Sequence, residues 1–145
     1  MNWVKLMSKV NKMKTWNDKL YSEKTHKVKH LDKKFVDIPA DSDMLVATPE
    51  IFDNYIRRIP RGQSRSMKEM RADLAKAYIA QHTCPVTTGI FVRIVAEAAY
   101  EKYMSGHDIE EITPFWRVID EKSSIVKKLS FDPAFITEQR SKEGI

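Results

Sequence analysis

The stretch Thr113-Pro114-Phe115-Trp116-Arg117-Val118 decides how the fold is read. Pro114 lacks the N–H that a central strand must donate, so it suits the entry to a strand. Trp116-Arg117-Val118-Ile119 then alternates, Asp120-Glu121-Lys122-Ser123-Ser124 is turn chemistry, and Ile125-Val126 reads as a short return strand. A hairpin of that size is a wing. Behind it, Asp132-Pro133 opens a last helix carrying Phe135, Ile136 and Gln139.

Upstream the signals are helical. Ile38-Pro39-Ala40-Asp41-Ser42-Asp43 is a turn and Met44-Leu45-Val46-Ala47 a short extended run. Thr48-Pro49-Glu50 starts a helix, with Thr as N-cap, Pro at the first helical position and an acid in the first turn. Pro60-Arg61-Gly62 ends it. Ser66-Met67-Lys68-Glu69 is a capping box for a second helix, which His82-Thr83-Cys84-Pro85 breaks. Thr87 or Thr88 caps a third, running to about Tyr103 and stopping near Gly106. Two helices joined by such a break fit a helix-turn-helix. The expected fold is mainly α with a small β wing: a winged helix-turn-helix domain over 44–145, preceded by a basic helical arm and linker over 1–43.

That arm holds most of the charge. The 145 residues carry a formal net charge of +5, and residues 1–34 hold ten lysines against three acids, so the remainder is slightly acidic. Trp3, Met7, Val10, Met13 or Trp16, and Leu20 recur at helical spacing among the lysines, which predicts an amphipathic helix over 3–20, with a polar linker over Lys24–Lys34. A lysine-rich arm suits a polyanion, because each neutralised phosphate releases counterions; it also serves as a plain solubilising tail. No apolar run reaches the roughly 20 residues of a membrane span. A secretory signal is not evident, so the expected location is cytoplasmic. Cys84 is the sole cysteine, which excludes an intrachain disulfide. His26 and His30 stand at i, i+4 without the partners a zinc site needs, so no metal and no cofactor is expected.

The order of these motifs resembles the C-terminal domain of the alkylguanine-DNA alkyltransferases over residues 44–144. Ile59-Pro60-Arg61-Gly62 is similar to the family segment before the first DNA-binding helix, Pro114, Arg117 and Val118 fall on the active-site motif Pro-Cys-His-Arg-Val, and Glu143-Gly144 is similar to a terminal Glu-Gly. Lys14-Thr15-Trp16-Asn17-Asp18-Lys19-Leu20 and Cys84-Pro85-Val86-Thr87-Thr88-Gly89-Ile90-Phe91 resemble a bacterial subgroup with a Thr-Pro-Tyr-Trp-Arg signature. Phe115 stands where the family has its alkyl-accepting Cys and Trp116 where it has His. Phe115 has no nucleophilic atom and Trp116 donates but cannot act as a base. Met67 takes the place of the Tyr that pushes a phosphate during base flipping. The arginine that fills the vacated stack matches Arg93, or else its place falls on Gly89 one helical turn earlier.

The resemblance therefore implies a non-catalytic, alkyltransferase-like protein with no catalytic residue. Its expected DNA contacts are Arg65, Met67, Thr87, Thr88, Gly89 and Arg93, and its expected lesion pocket is Pro114, Phe115, Trp116 and Arg117. The expected partners are duplex DNA, alkylated or distorted, and repair proteins, with no membrane. Damaged bases unstack more easily, which gives selectivity without reading a sequence. Against this, the helix after Thr88 carries Glu97 and Glu101 beside Arg93 and Lys102, and is not basic. The alternative is a protein-interaction or small-ligand module that has lost DNA binding. An enzyme with a relocated nucleophile is disfavoured: Cys84 reads as a small buried apolar residue, and Ser66, Ser123 and Ser124 have no evident His–Asp partners.

Overall fold

A computed structural model describes residues 14–22 and 24–145. Trp3, Met7, Val10 and Met13, on which the expected N-terminal helix was read, lie outside the described residues. The described part corrects the expected span: Lys14 and Thr15 are not helical, and Thr15, extended at φ −74° and ψ 169°, is the N-cap that starts α1, Trp16–Leu20, through a capping box in which Thr15 and Asp18 each accept the other's backbone N–H. The following elements are β1 (Lys27–Leu31), β2 (Ser42–Val46), α2 (Pro49–Arg57), α3 (Met67–Ala77), β3 (His82–Thr83), α4 (Pro85–Met104) and α5 (Ala134–Glu143). Three 3-10 turns, Ile109–Glu111, Phe115–Arg117 and Ser124–Lys128, occupy the connection from α4 to α5. The chain is thus mainly α with one small sheet. Among the described residues, no helix is long and apolar enough to cross a membrane.

The helix starts follow the sequence chemistry. Thr48 accepts from the Ile51 N–H with Pro49 behind it, and Ser66 and Glu69 form a reciprocal capping box. The third start differs from expectation. α4 begins at Pro85 with Cys84 at the cap, so Thr87 and Thr88 lie inside its first turn, and the Thr88 hydroxyl donates back to the Cys84 carbonyl. Gly144 ends α5 at φ +73°, a left-handed cap that glycine adopts without steric cost.

The sheet is not where it was expected. The wing strands at Trp116–Ile119 and Ile125–Val126 are absent, and those residues lie in or beside the 3-10 turns. The reason is burial on both sides: Phe115, Trp116, Val118 and Ile119 are all buried, whereas a half-exposed strand buries only alternate residues. Pro114 also removes a ladder donor. The strands come instead from the N-terminal side. The expected linker over Lys24–Lys34 contains β1, which pairs antiparallel with β2 from Lys27↔Val46 to Leu31↔Ser42, and β3 runs parallel to β2. The division expected between residues 43 and 44 therefore falls within β2.

The main core lies between α2, α3, α4 and the 3-10 turns, with Phe52, Ile56, Met70, Val92, Val95, Phe115, Ile119 and Ile136 fully enclosed. Cys84 sits in a second small cluster with Leu31, Ile38 and Met44, as a buried apolar residue. Phe115 stacks with Phe135 at 5.9 Å and meets Phe131 edge-on at 5.6 Å. Phe115→Ala is expected to destabilise the fold by about 3–5 kcal/mol through the cavity it leaves, measured by urea unfolding followed by circular dichroism.

Candidate functional site

The expected site residues divide between two surfaces. Pro114, Trp116 and Arg117 line one cavity, and Gly89 and Arg93 line another, with no lining residue in common.

The second of these is a groove between α1 and the first half of α4, about 350 Å³ in volume. The capping carboxylate of another residue holds α1 in place. Glu101 on α4 accepts the backbone N–H groups of Trp16 and Asn17 at 3.2 Å each, and the Asn17 amide donates to Glu101 and to the Ala98 carbonyl. Glu101, which counted as an acid against a DNA-facing helix, is thus committed to α1. Glu97 is equally committed, being buried and accepting from Ser130. The groove itself is lined by three cations, Lys19, Arg93 and Lys128, and by no acid among the described residues. Trp16 forms one wall, with the Lys19 ammonium 4.3 Å and the Arg93 guanidinium carbon 5.2 Å from its ring centre. The Arg93 Nε is enclosed and has no hydrogen-bond partner among the described residues, and the same holds for the Thr87 hydroxyl. Unsatisfied enclosed polar atoms are uncommon and call for an explanation such as a ligand or water.

Gly89 also lines the groove. It stands within α4 at a helical position, and a Cβ placed on it would meet nothing within 4 Å. Packing gives no reason for glycine there, and a helix-interior glycine costs about 0.5–1 kcal/mol relative to alanine. Exposed Val86 and Ile90 flank it. The remaining expected contacts do not join this surface. Thr88 is buried, Met67 packs against the main core, and Arg65 is tied by its N–H to the Arg117 carbonyl at 2.9 Å.

Of the four residues expected to form a lesion pocket, Pro114, Trp116 and Arg117 line a common cavity and Phe115 does not. Phe115 is fully buried in the aromatic cluster and is unavailable for stacking on a base. Trp116 is 3% exposed, and its indole N–H donates to Glu143 at 2.5 Å. Arg117 pairs with the same carboxylate at 2.9 Å and donates to the Ile59 carbonyl at 2.7 Å, while the Gly62 N–H donates to Glu143 at 2.8 Å. The three separated motifs, Ile59–Gly62, Pro114–Val118 and Glu143-Gly144, therefore meet at one carboxylate.

His26 and His30 do not share a helix face. His26 contacts the Tyr78 ring, and His30 lies on β1 beside Asp43 at 2.9 Å. No cluster of metal-ligating side chains occurs among the described residues. Ser66 caps α3 and Ser123 bonds to Asp120. Sequence reasoning missed Trp16, Lys19 and Lys128 as groove residues. Trp16 lies against α4 beside Arg93, a contact that no local pattern signals. Comparison with protein-family models, curated proteins and solved structures finds no match for this chain.

Two outcomes follow from this geometry. Gly89→Ala raises stability by about 0.5–1 kcal/mol in urea unfolding, since the site accepts a methyl group without strain. Burial acts to raise the Glu143 pKa, but Arg117, the Gly62 N–H and the Trp116 indole outweigh it and hold the carboxyl below its ordinary value of 4.5. A depressed carboxylate stabilises the fold above its unfolded pKa, and that contribution is lost as pH falls through the folded value. The unfolding midpoints of wild type and Glu143→Gln therefore differ at pH 7 and converge as pH drops below about 4.5.

Proposed function

We propose that the chain is a non-enzymatic DNA-binding protein of the alkyltransferase-like kind, one that holds alkylated or distorted duplex DNA and leaves the chemistry to repair proteins. The observation that carries the reading is the groove beside α4. It gathers Lys19, Arg93 and Lys128 with no acid among the described residues, and it encloses an Arg93 Nε that has no hydrogen-bond partner among the described residues. Guanidinium and ammonium groups on an apolar floor suit a phosphate with a sugar or base attached.

In this reading α3 and α4 are the helix pair and α4 faces a DNA groove. Val86 and Ile90 are its exposed apolar contacts, of the kind that meet a thymine methyl. The Ser124–Lys128 turn, bearing Lys127 and Lys128, takes the role the expected wing would have had. The lysine-rich sequence before Trp16 precedes α1, which forms a wall of this groove. Its charge adds affinity that depends on salt and not on base sequence. The lesion contact moves from Phe115 to the groove, since a displaced nucleotide needs open volume and Phe115 offers none. Phe115 has no nucleophilic atom, so no alkyl transfer is part of the proposal.

The test is a titration of a duplex carrying one O-alkylated guanine against its undamaged twin, at two salt concentrations, by fluorescence anisotropy. The altered duplex is expected to bind more tightly, with affinity falling steeply as salt rises. Arg93→Ala is expected to weaken binding about tenfold and to lower the salt slope by about one. Equal affinity for the two duplexes reduces the function to nonspecific DNA binding, and no binding at low salt overturns it.

A further inference from the structure

The cavity behind Trp116 has its own chemistry, independent of the groove. It measures about 400 Å³ and lies where the C-terminal end of α2, the Ile109–Glu111 turn and α5 converge. That volume is within the range of small-molecule sites. Its apolar walls are Ile109, Ile112, Pro114 and Trp116, and its cations include Arg57 and Arg61.

Gln139 is the informative residue. It lies one turn after Ile136 on the inward face of α5, where an apolar side chain is the usual choice, and it is only 7% exposed. Burying an amide is unfavourable unless its hydrogen bonds are made. Gln139 lines the cavity, and its amide is not among the sealed, unpartnered polar atoms of the described residues, so it opens on the cavity space. An amide, donor and acceptor both, is therefore presented inside a concave space.

The charges beside it are arranged unequally. Glu143 is already neutralised by Arg117 and by two N–H donors. Arg57 gives its Nε to Asp53 at 2.9 Å, which leaves its two outer nitrogens, and Arg61 makes one long contact of 3.4 Å with the Lys142 carbonyl. Glu110, at the exposed rim, is the other acid of the lining. The donors left over are guanidinium and amide N–H groups, which match the oxygens of an anion.

We propose that this cavity is a second binding site, for a small oxyanion carried on an apolar body, either a carboxylate or a phosphate ester. Arg57 and Arg61 hold the anionic oxygens, Gln139 donates from below, and the body rests against Pro114 and Trp116. The site stands whether or not the chain binds DNA, since no residue of it lines the groove.

The test titrates the full chain, isotopically labelled, with benzoate and separately with phenyl phosphate, following the side-chain amide signals of Gln139 and the indole N–H of Trp116 by NMR. Saturable shifts of both signals with benzoate assign a carboxylate site, and with phenyl phosphate a phosphate-ester site. Gln139→Leu, which keeps α5 apolar on its inner face, and Arg61→Ala are each expected to weaken that binding about tenfold, while Arg93→Ala leaves it unchanged. Shifts that rise linearly without saturation for both probes, or that persist in Gln139→Leu, overturn the proposal.

Discussion

The Glu143 carboxylate holds the C-terminal half together. It sits at the end of α5, yet it accepts from the Arg117 guanidinium, the Trp116 indole and the Gly62 backbone. Arg117 then reaches on to the Ile59 carbonyl. One charged group thereby pins the end of α5, the turn after α2 and the middle of the long α4–α5 connection. That connection has no strand or α-helix of its own, and burial of consecutive side chains is what shapes it. Removing one partner of an enclosed ion pair leaves the other charge uncompensated, which is more damaging than replacing both. Trp116, Arg117 and Glu143 of this arrangement also line the cavity beside α2 and α5.

Much of the helical framework was legible. Thr48-Pro49 and Ser66…Glu69 announce α2 and α3 because capping depends on residues three positions apart, and Gly144 announces the end of α5 for the same local reason. The sheet was not legible. Lys27-Val28-Lys29-His30 has little apolar content, and it is a strand only because β2, which starts fifteen residues after it does, supplies hydrogen bonds along its length. The alternation at Trp116–Ile119 misled in the opposite direction, since a period of two in sequence does not require one side to face water.

The site was legible in part. Arg93 and Gly89 could be singled out from the sequence, and the structure places both at the groove. Lys19 and Lys128 join them from segments about seventy and thirty-five residues away, which no local pattern conveys. Phe115 was assigned to a pocket because of its position in a motif, and it proved to be core. A motif position specifies a backbone location; which way the side chain points depends on neighbours such as Phe131 and Phe135 that lie further along the chain.

The lysines read differently once β1 is seen. Among the described residues β1 pairs on one side with β2 and its other side is the edge of the sheet, with Lys27, Lys29 and His30 exposed. An open strand edge is a template for a second chain, and lysine is a common guard, because like charges meeting across such a contact repel. Part of the basic charge near the N-terminus therefore lies along a strand edge. Like charges along such an edge disfavour the approach of a second copy, an effect that needs no ligand.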